Sequence, residues 1–266
     1  MIAIIFLLTV ESSYFLRLSP GVVSQGLGGS SVTINEGLSA FHNPACADDM
    51  KFNFTLSRWL FSTNYLALGG SYSDYLFGIS YMNYGEIHGF DEFGNATNNF
   101  TPYNFCAVLG RRIGSIGVAL KGFVEQIADQ NLYGIAACIG FHAKYGRFSV
   151  GAKVDNLGKE FSENSAIPSL VAIGLKYDFT QEVAVIAEAK IPQAELNVGF
   201  AYTYKNLTMM FGSRYFHPLQ YQHGITVDDF DLTGGILLAI DDYTVGYSVV
   251  TGYASTAHQF SVILNP

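Results

Sequence analysis

Leu196-Asn197-Val198-Gly199-Phe200-Ala201-Tyr202-Thr203-Tyr204 alternates without a break. In an extended chain successive side chains point to opposite faces. Leu196, Val198, Phe200, Tyr202 and Tyr204 therefore share one face, and Asn197, Gly199, Ala201 and Thr203 the other. One face is bulky and aromatic; the other is small and weakly polar. The pattern returns where Tyr243, Val245, Tyr247 and Val249 oppose Thr244, Gly246 and Ser248. It returns again where His258, Phe260, Val262 and Leu264 oppose Gln259, Ser261 and Ile263. A soluble sandwich hides its bulky face and shows water a polar one. Here the minor face is too small and too sparsely charged for a wet exterior. The reverse assignment fits: bulky residues face lipid and small residues face a crowded lumen.

Working outward from this stretch, the rhythm covers the chain from Lys51 onward. About fourteen strands are expected, near 51–60, 63–72, 75–84, 102–111, 115–126, 131–144, 147–155, 168–178, 182–190, 194–204, 207–216, 231–240, 242–251 and 256–265. Each approximates the ~9–11 residues that a tilted strand needs to cross a bilayer. An even count suits an antiparallel barrel, whose closure leaves no backbone donor or acceptor facing lipid. The connections alternate. Tyr145-Gly146-Arg147, 178–181, Lys205-Asn206 and Asp241-Asp242 are short, while 85–101, 156–168 and 217–230 are longer. The fold class expected is all-β, an antiparallel transmembrane β-barrel of about fourteen strands with an N-terminal plug.

Composition agrees. Apolar residues make up 49% and charged residues 14% of the 266, with 17 Tyr, 21 Phe, 28 Gly and 7 Pro. Yet no run reaches the ~18 apolar residues of a transmembrane helix. The formal charge of −8 argues against a nucleic-acid partner, which needs a basic face. Cys46, Cys106 and Cys138 have no metal-ligand spacing and read as small buried thiols.

Residues 1–10, MIAIIFLLTV, resemble the apolar core of a secretory signal, so 1–19 reads as a leader. The stretch Gly21–Asp49, GVVSQGLGGSSVTINEGLSAFHNPACADD, is small, polar and rich in turn residues. A lumen lined by small residues needs filling, and this is the segment available to fill it. The expected division is leader 1–19, plug 20–50 and barrel 51–266.

The candidate site residues follow from that division. Gly26, Gly28 and Gly29 lack the Lys-Ser/Thr and the strand–helix frame of a phosphate loop. They read as points of close backbone packing. Asn43-Pro44-Ala45 reads as the bend that delivers the chain into the first strand. Lys121 and Glu125 share the inward parity of one strand, and Lys153 and Asp155 that of another. A cation on the lipid face at mid-bilayer costs ~2–4 kcal/mol, so these charges are expected in the lumen, paired with one another or with the plug. Arg111, Arg112 and Arg214 lie near strand ends and read as rim anchors. The six histidines, 42, 88, 142, 217, 223 and 258, show no metal spacing. Glu86, His88, Asp91 and Glu92 read as a solvated acidic loop. No nucleophile–base arrangement is evident, so no catalytic residue, metal or cofactor is expected and the chain reads as non-enzymatic.

The same residues resemble a known group. GLGGSSVTINEGLSAFHNPACADD is similar to the N-terminal signature of the PorV/PorQ family of bacterial outer-membrane proteins, related in fold to the FadL fatty-acid transporters. Gly26-Leu27-Gly28-Gly29 and Asn43-Pro44-Ala45 carry that likeness. YMNYGEIHGFDEF (81–93), VALKGFVEQ (118–126) and the turn-like VDNLG (154–158) extend it. Cys46 and Asp48-Asp49 depart from the pattern, as does the ending Leu264-Asn265-Pro266 without a terminal aromatic. The resemblance implies a fourteen-stranded barrel in the outer membrane with an N-terminal hatch. Its partners would be outer-membrane lipid and either secretion-system components with exported C-terminal signals, as in type IX secretion, or hydrophobic small molecules. Export or surface attachment is the first expectation; a FadL-like channel for fatty acids or other hydrophobic compounds is the alternative. That channel would need an apolar pocket beside the hatch and a kinked strand leaving a lateral opening.

Overall fold

A computed structural model describes residues 13–47, 50–59, 62–90, 93–128, 130–162, 165–192, 194–216, 230–252 and 256–265. The strands are β1 (Met50–Arg58), β2 (Asn64–Tyr72), β3 (Tyr75–Asn83), β4 (Tyr103–Ile113), β5 (Ile116–Ile127), β6 (Gln130–Tyr145) and β7 (Phe148–Glu160). They continue as β8 (Leu170–Asp178), β9 (Val183–Ile191), β10 (Glu195–Tyr204), β11 (Leu207–Phe216), β12 (Phe230–Ile240), β13 (Tyr243–Thr251) and β14 (Thr256–Leu264). Each pairs antiparallel with its chain neighbours, and β14 pairs with β1 to close the barrel. Closure follows from the pattern: fourteen strands that are apolar on the outside have no edge that lipid would tolerate.

The burial alternates as the pattern predicts. On β10, Leu196, Val198 and Phe200 are exposed while Asn197 and Gly199 are buried. On β5, Leu120 is exposed while Ala119, Lys121 and Phe123 are buried. Six short turns, 73–74, 114–115, 146–147, 179–182, 205–206 and 241–242, lie at the rim where β1 begins and β14 ends. The opposite rim carries the longer connections, together with the short links between β5 and β6 and between β9 and β10.

The expected strands are observed, with one instructive difference. β7 does not stop at 155 but runs to Glu160. Its register against β6 shifts between Ala137 and Ile139, so Asp155 and Asn156 together oppose Cys138. Asn156 takes the left-handed conformation, φ 56°. This β-bulge turns two consecutive side chains inward, and both are buried. The VDNLG stretch that resembles a turn is therefore a bulge within a strand.

Residues 13–47 contain little regular structure. There is a 3-10 turn at Tyr14–Arg17, a short helix α1 at Val22–Gly26 and a second 3-10 turn at Pro44–Cys46. Nearly all are buried, with Val22, Val32, Leu38 and His42 fully so. They touch the inward faces of strands around the barrel: Val22 meets Gly246 on β13, Leu27 meets Gly199 on β10, and Phe41 meets Gly78 on β3. The stretch expected as a leader divides here. Residues 1–12 lie outside the described residues, whereas 13–19 pack within the barrel, where Phe15 sits edge-on to Phe123 at 6.0 Å.

Candidate functional site

The N-terminal segment is held by fit and by charge. Asn43 caps the turn before β1: its side-chain oxygen accepts from the Ala45 amide at 3.1 Å. Its amide nitrogen donates to the carbonyls of Val32, 2.7 Å, and Phe141, 3.0 Å. Pro44 follows at the first position of the turn, where its missing N–H costs nothing. The wall makes room for this bend. A β-carbon at Gly140 would collide with the Asn43 oxygen, and one at Gly117 with the Pro44–Ala45 peptide. Cys46 donates its thiol to Val32 at 3.0 Å, and burial pushes that thiol well above its ordinary pKa.

The glycines of the segment serve close approach. Gly28 and Gly29 have φ of 74° and 81°, which L side chains rarely adopt. A β-carbon on Gly28 would strike the Ser213 carbonyl of β11, and one on Gly29 the Arg214 guanidinium. Gly26 lies against Met210. The Gly28 amide donates to Thr233 Oγ1 at 2.9 Å, and that hydroxyl donates to the Gly26 carbonyl at 3.1 Å.

Two buried charge clusters face the segment. In the first, Lys121 Nζ lies 2.6 Å from Asp155 Oδ1 and 3.0 Å from Asn156 Oδ1. Lys153 reaches the other Asp155 oxygen at 3.2 Å. Glu125 is not part of this pair; it accepts from Ser13 Oγ at 3.1 Å. The four residues read from parity thus reach the lumen, but as one Lys–Asp–Lys triad plus a separate contact to the segment. The bulge on β7 is what brings Asn156 to Lys121 and lets it donate to the Leu16 carbonyl, 3.3 Å.

The second cluster was not anticipated. Glu188 of β9 accepts from the amides of Ser31, 2.6 Å, and Val32, 2.8 Å. Lys190 bonds Glu195 at 2.7 Å, donates to the Gly29 carbonyl at 3.1 Å and lies 3.7 Å from Glu188. Arg214 lies 3.9 Å from both Glu195 and Asp231 and donates to Gln25 at 3.3 Å. The signal was present: Glu188 and Lys190 share the inward parity of β9, with Ala187 and Ala189 between and before them. Arg214 is a lumen residue rather than a rim anchor. Arg112 is a rim anchor at the short-turn end: it bonds the Ala47 carbonyl and lies 3.5 Å from Asp74.

Beside the segment lies a cavity of about 270 Å³, at the short-turn rim between β8 and β12. Val23, Leu27 and Ile34 from the segment and Ile186, Met210 and Leu237 from the barrel form an apolar part of its wall, and Thr33, Asn35, Thr203 and Thr208 add polar groups among them. Its mouth is polar, formed by Lys176, Asp178 and the turn 179–182. Across the lumen the described residues pack closely. Phe15, Leu16 and Phe41 meet Tyr65, Leu76 and Phe123, leaving a void of about 10 Å³ beside Lys121. That is space for about one water.

Among the described residues no group of three or more His, Cys, Asp or Glu could hold a metal ion. Cys46, Cys106 and Cys138 are free and buried. His42 is enclosed within the segment, 2.8 Å from Glu36. On the first long loop Glu86 and His88 both bond Asn99. Asp91, Glu92, His217 and His223 lie outside the described residues.

No protein-family model matches this chain, and no curated protein matches it. Solved structures do. A CymD monoaromatic hydrocarbon channel superposes with a TM-score of 0.59 at 13% identity, over 92% of this chain and 96% of that one. The chain has the fold of an outer-membrane β-barrel. A TodX deltaS2S3 mutant monoaromatic hydrocarbon channel superposes with a TM-score of 0.58, also at 13% identity, over 92% of this chain and 99% of that one. The likeness to the PorV/PorQ family rests on the sequence motifs alone.

Proposed function

We propose that this chain is an outer-membrane channel for small hydrophobic molecules, with residues 20–47 as its plug. The observation that carries the reading is the cavity beside the segment, where Leu27, Ile186 and Met210 form an apolar patch within a partly polar lining. Its volume of about 270 Å³ is enough space for a single-ring molecule, which needs roughly 150 Å³. The two hydrocarbon channels of like fold support the same solute class. On the β2–β6 side the lumen is closed, so passage requires the segment to shift.

The test is uptake of a radiolabelled single-ring hydrocarbon at low concentration by cells that make the barrel and cells that lack it. The Ala201→Phe variant fills the cavity from the wall. Faster uptake with the barrel, lost in the variant, supports the reading. Uptake equal to that of cells without the barrel overturns it. Capture of an exported protein's C-terminal signal by the purified barrel would instead favour the export role that the PorV/PorQ resemblance implies.

A further inference from the structure

A second recess lies outside the lumen. It is a groove of about 460 Å³ on the outward face, across the seam where β1 meets β14. Register places Leu56 opposite both Leu66 and Phe260, so these three form a floor. Tyr81 follows Leu66 on β3, and Tyr247 follows Phe260 on β13. The two tyrosines are the walls of the trough. Each is tied at its hydroxyl: Tyr247 to His258 Nδ1 at 2.6 Å, and Tyr81 to Asn83 at 3.4 Å.

The head of the groove is basic. Arg58 and His258 are direct cross-strand partners, both exposed, one step nearer the long-loop rim than the floor. Asn64 sits opposite Arg58 on β2. Among the described residues no carboxylate lines the groove, although the chain carries a formal charge of −8. An apolar trough headed by a guanidinium and an imidazole matches one class of molecule in a bilayer. Arginine pairs with phosphate through two parallel N–H donors, and a tyrosine-walled trough suits an acyl chain.

We propose that this groove binds a membrane lipid with an anionic phosphate headgroup, its acyl chain on Leu56, Leu66 and Phe260 and its phosphate on Arg58 and His258. The proposal rests on the outer-membrane reading above, and the experiment separates the two. Trp59 is the only tryptophan. A reporter, Trp59→Phe with Tyr81→Trp, places a single indole on the groove wall. The purified barrel is reconstituted in phosphatidylcholine containing a small fraction of brominated phosphatidylglycerol or brominated phosphatidylcholine. Quenching by the anionic lipid should exceed its mole fraction by about fivefold, the equivalent of the ~1 kcal/mol that one juxtamembrane cation contributes. Adding Arg58→Ala should reduce that excess to the level of the zwitterionic lipid, while the variant keeps its heat-modifiable gel mobility. Equal quenching by the two lipids in the unmodified Arg58 protein overturns the lipid site and leaves the membrane reading standing. No quenching by either lipid in a barrel that light scattering shows to be monomeric overturns the membrane reading. Quenching by neither lipid in a barrel that light scattering shows to be dimeric would assign the groove to a second copy, which also overturns the proposal. As a readout independent of the reporter, phosphatidylglycerol should remain bound to the native sequence in mass spectra and be lost from Arg58→Ala.

Discussion

The two sides of the lumen are built from the same kind of strand and filled by the same segment, yet one is closed and the other is not. On the β2–β6 side, the segment offers Phe15, Leu16, Leu38 and Phe41, and the wall answers with Tyr65, Leu76, Met82 and Phe123. Large meets large and the space is gone. On the β9–β12 side the segment offers Val22, Leu27 and Ile34, separated by Gly28, Gly29, Ser30 and Ser31, against Ile186 and Met210. The apolar volume on that side is too small to reach the short-turn rim, and a cavity remains. The charge clusters follow the same division. The Lys121–Asp155–Lys153 triad is closed on itself within the wall, whereas Glu188 and Lys190 bond the backbone of the segment directly. The difference teaches that the barrel itself is indifferent to being open; the side-chain volume of the filler decides.

The largest effect is expected at the triad. Asp155→Asn would leave two buried cations without a carboxylate, a change of the kind that costs ~3–5 kcal/mol. Denaturant unfolding of the purified barrel, followed by gel mobility, should show this loss. A loss below ~1 kcal/mol would mean that water reaches Lys121 and Lys153, and that the β2–β6 side is not sealed.

A matched pair of leucines compares the two sides more closely. Leu76, 2% exposed, lies in the closed half, and Leu76→Ala should cost ~2–5 kcal/mol through the hole it leaves. Leu237 is only partly buried and already borders the cavity. Its truncation enlarges a space that exists, so Leu237→Ala should cost about 1 kcal/mol or less. Equal losses at both positions would erase the distinction between the sides.

Much of this was legible in the chain and some was not, for identifiable reasons. Period-two alternation from Lys51 onward located fourteen strands because each strand sees lipid on one face and the lumen on the other. It also put Lys121, Glu125, Lys153 and Asp155 in the lumen. It could not say which cation meets which carboxylate, since partners come from strands whose stagger the pattern leaves free. The bulge was hidden for a related reason: Asp155-Asn156 breaks parity, and a break in parity reads as the end of a strand. Asn156 at φ 56° is what allows the strand to continue. The fit of Gly117 and Gly140 around Asn43–Ala45 was visible only as small residues at inward positions, with no indication of what they make room for. The volume left unfilled beside Leu27 is a sum over several strands and a non-repeating segment, so no local pattern reports it.

The smallest expected effect on stability gives a sharp contrast in access. Cys106 and Cys138 lie in the closed half and Cys46 within the segment, all buried. Burial also holds the Cys46 thiol protonated at neutral pH, and the thiolate is the reactive form. A maleimide should therefore leave the folded barrel unlabelled and modify three thiols once it is unfolded. Ala201→Cys places the same group on the wall of the cavity, where it borders open space and replaces a methyl that makes no hydrogen bond. Its effect on stability should fall within about ±0.5 kcal/mol, yet the folded barrel should now accept one label. If Ala201→Cys stays dark, the cavity is not open to the short-turn side. If the native cysteines label as fast, the closed half is not closed. Either result would remove the asymmetry on which the channel reading depends, without any need to know the solute.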